Sequence, residues 1–216
     1  MKKFAIITDF DGTITTRDIG NALCTHFGTM QPGKEIKDYD TKEDPAIWFN
    51  KFFSPIKVNQ EEFESIILSY AVVKKGFDEL VLFVKEHKIP FEIVSGGLDI
   101  YIKPILKKHN LPPLPIYCVR GTLGPKGIKV AFPDYPEIAL DDFKAQRVKY
   151  YKNKGYTTVF LGDGLVDLEA AKQADILFAT GYLAELCKRY NIVYREFKDF
   201  TKLLKILKES YVPLSA

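Results

Sequence analysis

Phe4-Ala5-Ile6-Ile7-Thr8-Asp9-Phe10-Asp11-Gly12-Thr13 is the stretch from which the fold is read. Its first five residues form a short, almost wholly apolar run that stops abruptly at an acid. Such a run suits a strand buried on both faces, as in the interior of a parallel sheet. The same sign recurs at Phe91-Glu92-Ile93-Val94, at Thr157-Thr158-Val159-Phe160-Leu161 and at Ile176-Leu177-Phe178-Ala179. Small or polar residues follow each: Ser95-Gly96-Gly97, Gly162-Asp163-Gly164 and Thr180-Gly181. Between these runs, residues 77–87, 100–109, 142–153, 167–173 and 200–208 have helical spacing. Strands alternating with helices predict an α/β fold built on a doubly wound parallel sheet. Ligands of such sheets sit beyond the carboxyl ends of the strands, where the polar clusters fall.

Two segments interrupt the alternation. Residues 17–75 contain no strand-like run but carry helical periodicity at 19–27, 46–53 and 61–70, so a small helical insertion is expected directly after the first strand. The expected division is a core of residues 1–16 and 76–216 with a helical unit of 17–75. In the second segment, residues 116–132, Gly124-Pro125-Lys126-Gly127 separates two extended runs, the pattern of a β-hairpin.

The bulk properties narrow the class. A chain of 216 residues that is 46% hydrophobic can bury a core without staples. Its net charge of +3 and dispersed lysines give no footprint for a nucleic-acid partner. Cys24, Cys118 and Cys187 are odd in number, widely spaced and free of any Cys-x-x-Cys pair, which fits a reducing cytoplasm. With no long apolar run, a soluble protein with no membrane partner is expected. His26, His87 and His109 are isolated and make no metal-ligand spacing.

Asp9 and Asp11 alternate along an extended segment, so both carboxylates project to one side at the end of the strand. Like charges in one cleft repel unless a cation joins them, and oxygen donors of this kind suit magnesium. Asp163 and Asp167 bring further carboxylates to the same sheet edge. Ser95 and the Gly96–Gly97 backbone offer a hydroxyl and N–H groups to a phosphate. Each feature alone has a plainer reading as a turn or a helix cap. Together, at successive strand ends, they describe a phosphate site.

Over nearly its whole length the chain resembles the haloacid dehalogenase superfamily of phosphatases. Asp9-x-Asp11-Gly12-Thr13 matches the first motif, Ser95 the second, and Gly162-Asp163-Gly164-x-x-Asp167 the fourth. The third is a single lysine, assigned to Lys144, with Arg147 and Lys149 as competitors. The resemblance implies a Rossmann-like core with a small helical cap after the first strand. It implies a phosphoric monoester hydrolase in which Asp9 is the nucleophile, forms an aspartyl-phosphate, and Asp11 is the acid and base. Mg2+ would be held by Asp9, the Asp11 main chain and Asp163, with Asp167 behind them. Thr13, Ser95, Gly96 and Lys144 would bind the phosphoryl group.

An enclosed site between cap and core implies a small phosphorylated metabolite as substrate. Val94-Ser95-Gly96-Gly97-x-Asp99 resembles both phosphoserine phosphatases and the methionine-salvage phosphatases of 2-hydroxy-3-keto-5-methylthiopentenyl-1-phosphate. Asp18 stands where the former carry a substrate-binding acid, and equally where a helix N-cap is needed; Asp18 and Gly97 are the candidate substrate contacts. No arginine occurs from Asp18 to Val119 to take a serine carboxylate, which favours the methionine-salvage reading. Phosphocholine and phosphoethanolamine remain alternatives, because Asp18 can face an ammonium. Trp48, Phe49, Phe52 and Phe53 either line the pocket or pack against one another, the second being the commoner use of such a face. A phosphotransferase, or a non-catalytic metal- or phosphate-binding protein, are the readings from other classes. Oligomeric state is not encoded in any of these features.

Overall fold

The computed structural model describes residues 3–31, 45–132 and 139–211. Strand β1 (Phe4–Thr8) is buried at all five positions. It lies between β2 (Phe91–Leu98) and β5 (Thr157–Gly162), parallel to both, with Ile6 opposite Phe91 on one side and Val159 on the other. With β3 (Ile116–Thr122), β4 (Lys129–Ala131), β6 (Ile176–Ala179) and β7 (Arg195–Glu196), the sheet has the order β4-β3-β2-β1-β5-β6-β7. All pairs are parallel except the β3–β4 hairpin. The chain first builds outward from β1 through β2 and β3, then restarts on the other side with β5. Connections therefore diverge above β1, and the crevice they leave is where such sheets take ligands.

Helices α1 (Ile19–His26), α2 (Pro45–Phe52) and α3 (Gln60–Tyr70) lie between β1 and β2 in the chain, followed by α4 (Phe77–Glu86). The chain leaves and rejoins the sheet along paired backbone: the Thr16 N–H donates to the Val72 carbonyl at 2.9 Å, and that of Lys74 to Ile14 at 2.8 Å. Asn59 caps α3 by accepting from the Glu62 N–H. In α4 the apolar stripe of Phe77, Leu80, Val81, Phe83 and Val84 is wholly buried. The hairpin turn presses on the chain after α2. Gly127 has φ of +118°, and a Cβ there would fall 1.6 Å from the Ser54 carbonyl oxygen, so only glycine fits.

Helices cover both faces of the sheet: α5 (Asp99–Lys108) and α9 (Thr201–Tyr211) share one core with α4, against Ile6 and Ile93, while α6 (Leu140–Asn153), α7 (Leu168–Gln173) and α8 (Gly181–Arg189) pack with Ile7, Val94 and Phe160. Two readings of the sequence are corrected. The second strand does not end at Val94: it continues through Ser95-Gly96-Gly97 to Leu98, with a register shift against β3 between Val94 and Leu98. Helix α8 was not expected, although Leu183, Leu186 and Cys187 bury one face at helical spacing. Its nine residues are too short to carry a clear period.

Glu92 is a carboxylate buried within β2, and its partners identify Arg147. The guanidinium approaches it with Nε at 2.8 Å and Nη2 at 2.6 Å, while the Tyr151 hydroxyl also donates to it. A buried charge left without its partner is strongly destabilising. Arg147→Met should cost about 3 kcal/mol in urea unfolding. Adding Glu92→Gln should recover part of that loss, because the orphaned charge is gone.

Candidate active site

The carboxyl ends of β1, β2 and β5, with the start of α6, converge on one cluster. Asp9 continues the β1 ladder, its N–H donating to Leu161 at 2.9 Å. Its side chain meets Lys144, whose Nζ lies 3.1 Å from Asp9 Oδ1 and 2.6 Å from Asp167 Oδ1. Lys144 is completely buried, an unusual place for a lysine, and this geometry selects it over its competitors. Arg147 is committed to Glu92, and Lys149 is exposed.

Asp167, also completely buried, uses both oxygens inside the protein. Oδ1 takes Lys144, and Oδ2 accepts from the N–H groups of Asp163 and Gly164, each at 3.0 Å. It thereby fixes the turn that presents Asp163. Thr13 completes that bracing: its buried hydroxyl donates to Asp163 Oδ1 at 2.8 Å. Thr13, expected to meet the phosphoryl group, has its hydroxyl turned to Asp163 in this structure. Close packing extends to Gly12, where a Cβ would stand 2.2 Å from Asp163 Oδ2.

Asp9, Asp163 and Asp167 offer oxygens that lie within 4.8 Å of one another. Among the described residues, Lys144 pairs with Asp9 and Asp167 and leaves the half-buried Asp163 without an ion pair of its own, so the cluster keeps excess negative charge. Burial pushes the Asp9 carboxyl up to about 6 despite Lys144, with the charge of Asp167 adding to the rise. Asp163 is raised well above the usual carboxylate range by burial and then by Asp9 and Asp167. Lys144 runs the other way: burial would pull its pKa down, but Asp167 and Asp9 outweigh burial and hold it protonated. Asp9 Oδ1 is buried and, apart from its ion pair with Lys144, makes no hydrogen bond. An all-oxygen set with excess negative charge and an under-used buried oxygen fits a hard divalent cation such as magnesium.

Asp11 is held separately. Ile19 N–H, in the first turn of α1, donates to Oδ1 at 2.9 Å, and the Tyr101 hydroxyl donates to Oδ2 at 2.7 Å. Burial, then the charge of Asp18, raise its pKa well above the ordinary value. Ser95 is buried, and its Oγ accepts from the Gly97 N–H at 2.9 Å. Ser95, Gly96 and Gly97 all line a cleft of about 1300 Å³ with Asp9, Asp11 and Asp163.

The far wall of that cleft comes from α1–α3 and their flanks. Asp18 caps α1, accepting from the Asn21 N–H at 2.7 Å, and also lines the cleft, so its two sequence readings coexist. Trp48, Phe49 and Phe53 do likewise. They pack on one another with ring centroids 5.1–6.1 Å apart and still present surface to the cleft, as does Phe132. Phe52 packs on Trp48 outside the lining.

Tyr101, Lys74 and Arg17 are among the cleft residues that the sequence reading did not single out. Tyr101 carried only a helical-spacing signal. Lys74 reaches the Gly12 carbonyl with Nζ at 2.5 Å. Its pKa is lowered by burial, with Asp163 opposing. Arg17 stands one residue before the arginine-free segment, lines the cleft, and lies 5.7 Å from the Tyr70 ring centre. Among the described residues no helix is long and apolar enough to cross a membrane.

Comparison with known proteins gives a consistent answer. The haloacid dehalogenase-like hydrolase family pattern matches residues 6–172. A 2-hydroxy-3-keto-5-methylthiopentenyl-1-phosphate phosphatase of Lysinibacillus sphaericus is 30% identical over 94% of this chain and 93% of its own. One of the same name from Bacillus pumilus is 31% identical over 94% and 90%. Among solved structures, a phosphoserine phosphatase captured as a phospho-aspartyl intermediate analogue superposes with a TM-score of 0.72. It is 22% identical over 95% of this chain and 99% of that one, a likeness of fold.

A carboxylate whose pKa is raised binds more protons folded than unfolded, so stability falls as pH rises through the interval between the two values. For the metal-free protein, melting temperature should therefore fall from about pH 4 to beyond pH 6. Millimolar Mg2+ should raise it by about 3 °C or more at pH 7.5 and hardly at pH 4.5. Asp163→Asn should remove that metal-dependent shift, as followed by thermal scanning.

Proposed function

The chain belongs to the haloacid dehalogenase-like hydrolases, and from that premise we propose that it is a magnesium-dependent phosphatase whose nucleophile is Asp9. That it is a phosphatase follows from the family and its full-length relatives. The observation that supports Asp9 as nucleophile is its place in the cleft lining, paired with a Lys144 fully buried behind it. An ionised, immobilised carboxylate at the end of β1 is what in-line attack on phosphorus requires.

In this reading an Asp9 oxygen attacks phosphorus, the bond to the leaving oxygen breaks, and Asp11 gives that oxygen its proton. The resulting aspartyl-phosphate is attacked by water, which Asp11 deprotonates, releasing inorganic phosphate and restoring Asp9. Ser95, the Gly96 N–H and Lys144 hold the phosphoryl oxygens and offset their developing charge. Asp9, the Asp11 main-chain carbonyl and Asp163 would hold Mg2+, with Asp167 and Thr13 bracing Asp163 from behind. When bound, the cation supplies the positive charge that lets carboxylate and phosphate approach each other. Helices α1–α3 act as the cap, residues 17–75, that encloses the ester and excludes bulk water.

For the substrate we favour the enol phosphate named in the relatives. Trp48, Phe49, Phe53 and Phe132 give the cleft an aromatic wall, and a thioether packs well on such rings. Arg17 keeps phosphoserine as a second reading, because it brings a guanidinium to the cleft beside Asp18. The three free, buried cysteines suit a reducing cytoplasm.

Phosphate release should be measured over phosphorylated metabolites, with and without Mg2+, for the wild type and Asp9→Asn. The panel includes the methylthio enol phosphate, phosphoserine, phosphocholine and phosphoethanolamine. The expected result is one preferred, Mg2+-dependent substrate and a loss of at least about a thousandfold in Asp9→Asn. Undiminished turnover in that variant would sink the mechanism. Trp48→Ala should raise KM for the methylthio substrate about tenfold relative to phosphoserine; equal changes would remove the aromatic wall from substrate choice.

A further inference from the structure

We propose that Tyr101 is the positioning residue for Asp11, fixing its carboxyl so that one side chain can serve first as acid and then as base. The inference rests on the proposed role of Asp11. Tyr101 is 1% exposed and meets the cleft beside Asp11. It donates to Asp11 Oδ2 at 2.7 Å from α5, while Ile19 N–H donates to Oδ1 at 2.9 Å from α1. The carboxyl is therefore held at both oxygens, by one helix of the core and one of the helical insertion. A group that must exchange a proton with a leaving oxygen and later with water has to face the same point in space in both steps. Two donors from separate elements fix the plane of the carboxyl as one could not.

The neighbouring sequence is shaped for this contact. A Cβ on Gly97 would stand 2.3 Å from the Tyr101 hydroxyl and 2.5 Å from Asp11 Oδ2, so the hydrogen bond exists only because residue 97 has no side chain. The register shift of β2 carries Gly97 over this spot. Phe10 also packs near the phenol ring, with centroids 6.5 Å apart. The side-chain partner of the Tyr101 hydroxyl is Asp11, so its effect on the reaction passes through that carboxyl.

Leaving-group dependence separates this role from a merely structural one. p-Nitrophenol leaves without much help from an acid, whereas phenol needs a proton. For Tyr101→Phe, kcat/KM, which reports the first phosphoryl transfer, should fall at least tenfold on phenyl phosphate and less than threefold on p-nitrophenyl phosphate. In an Asp11→Ala background, Tyr101→Phe should change neither value further, because the group it positions is gone. Gly97→Ala should lower both values but the one on phenyl phosphate at least threefold more, and that ratio carries the test should Tyr101→Phe fail to fold by thermal scanning. Equal losses on both esters, no loss on either, or a full additional loss in Asp11→Ala would each overturn the inference. Activity surviving in Asp9→Asn would instead overturn the phosphatase mechanism on which it rests.

Discussion

Three clustered carboxylates, two of them buried against one lysine, are the constraint on which the rest of the site depends. Bringing Asp9, Asp163 and Asp167 within 4.8 Å of one another is unfavourable, and the protein accepts it by arranging every neighbour to limit the repulsion. Lys144 is pulled completely out of water to stand between two of the acids. Asp167 is neutralised on one side by that lysine and on the other by two backbone N–H groups. The charge that remains is the basis on which a divalent cation is proposed. Structural stress and chemical readiness are the same property here.

Sheet topology delivers those acids to one place. Because β1 lies between β2 and β5, the loops that follow all three open onto a single crevice. Residues far apart in the chain meet there: Asp9 with Lys144, Thr13 with Asp163, Asp11 with Tyr101. The helices after β1 then form the opposite wall. Their link to the core is short and paired, through Thr16 with Val72 and Lys74 with Ile14, and Lys74 adds its ammonium to the Gly12 carbonyl. The insertion is thus tied to the very loop that carries Asp9 and Asp11.

The resemblance in motif and the arrangement in space differ in instructive places. Thr13 belongs to the first motif, yet its hydroxyl braces Asp163, because the tight turn at Gly12 swings it inward. Arg17 opens the helical unit, one residue before the arginine-free stretch, and only the fold brings it to the cleft. The aromatic residues after Pro45 were set as either packing or lining. In the structure one face does the first and an edge does the second.

By itself the sequence determined the layered α/β fold and the positions of Asp9, Asp11, Ser95, Asp163 and Asp167. Those signals are local: a buried strand leaves an apolar run, and the residues at its carboxyl end are adjacent in the chain. The choice of Lys144 over Arg147 and Lys149, the bracing role of Thr13 and the grip of Tyr101 on Asp11 were decided only by tertiary structure. Each depends on contacts across many tens of residues. A lysine, a threonine or a tyrosine on a helix has no local mark that tells burial beside a carboxylate from ordinary packing.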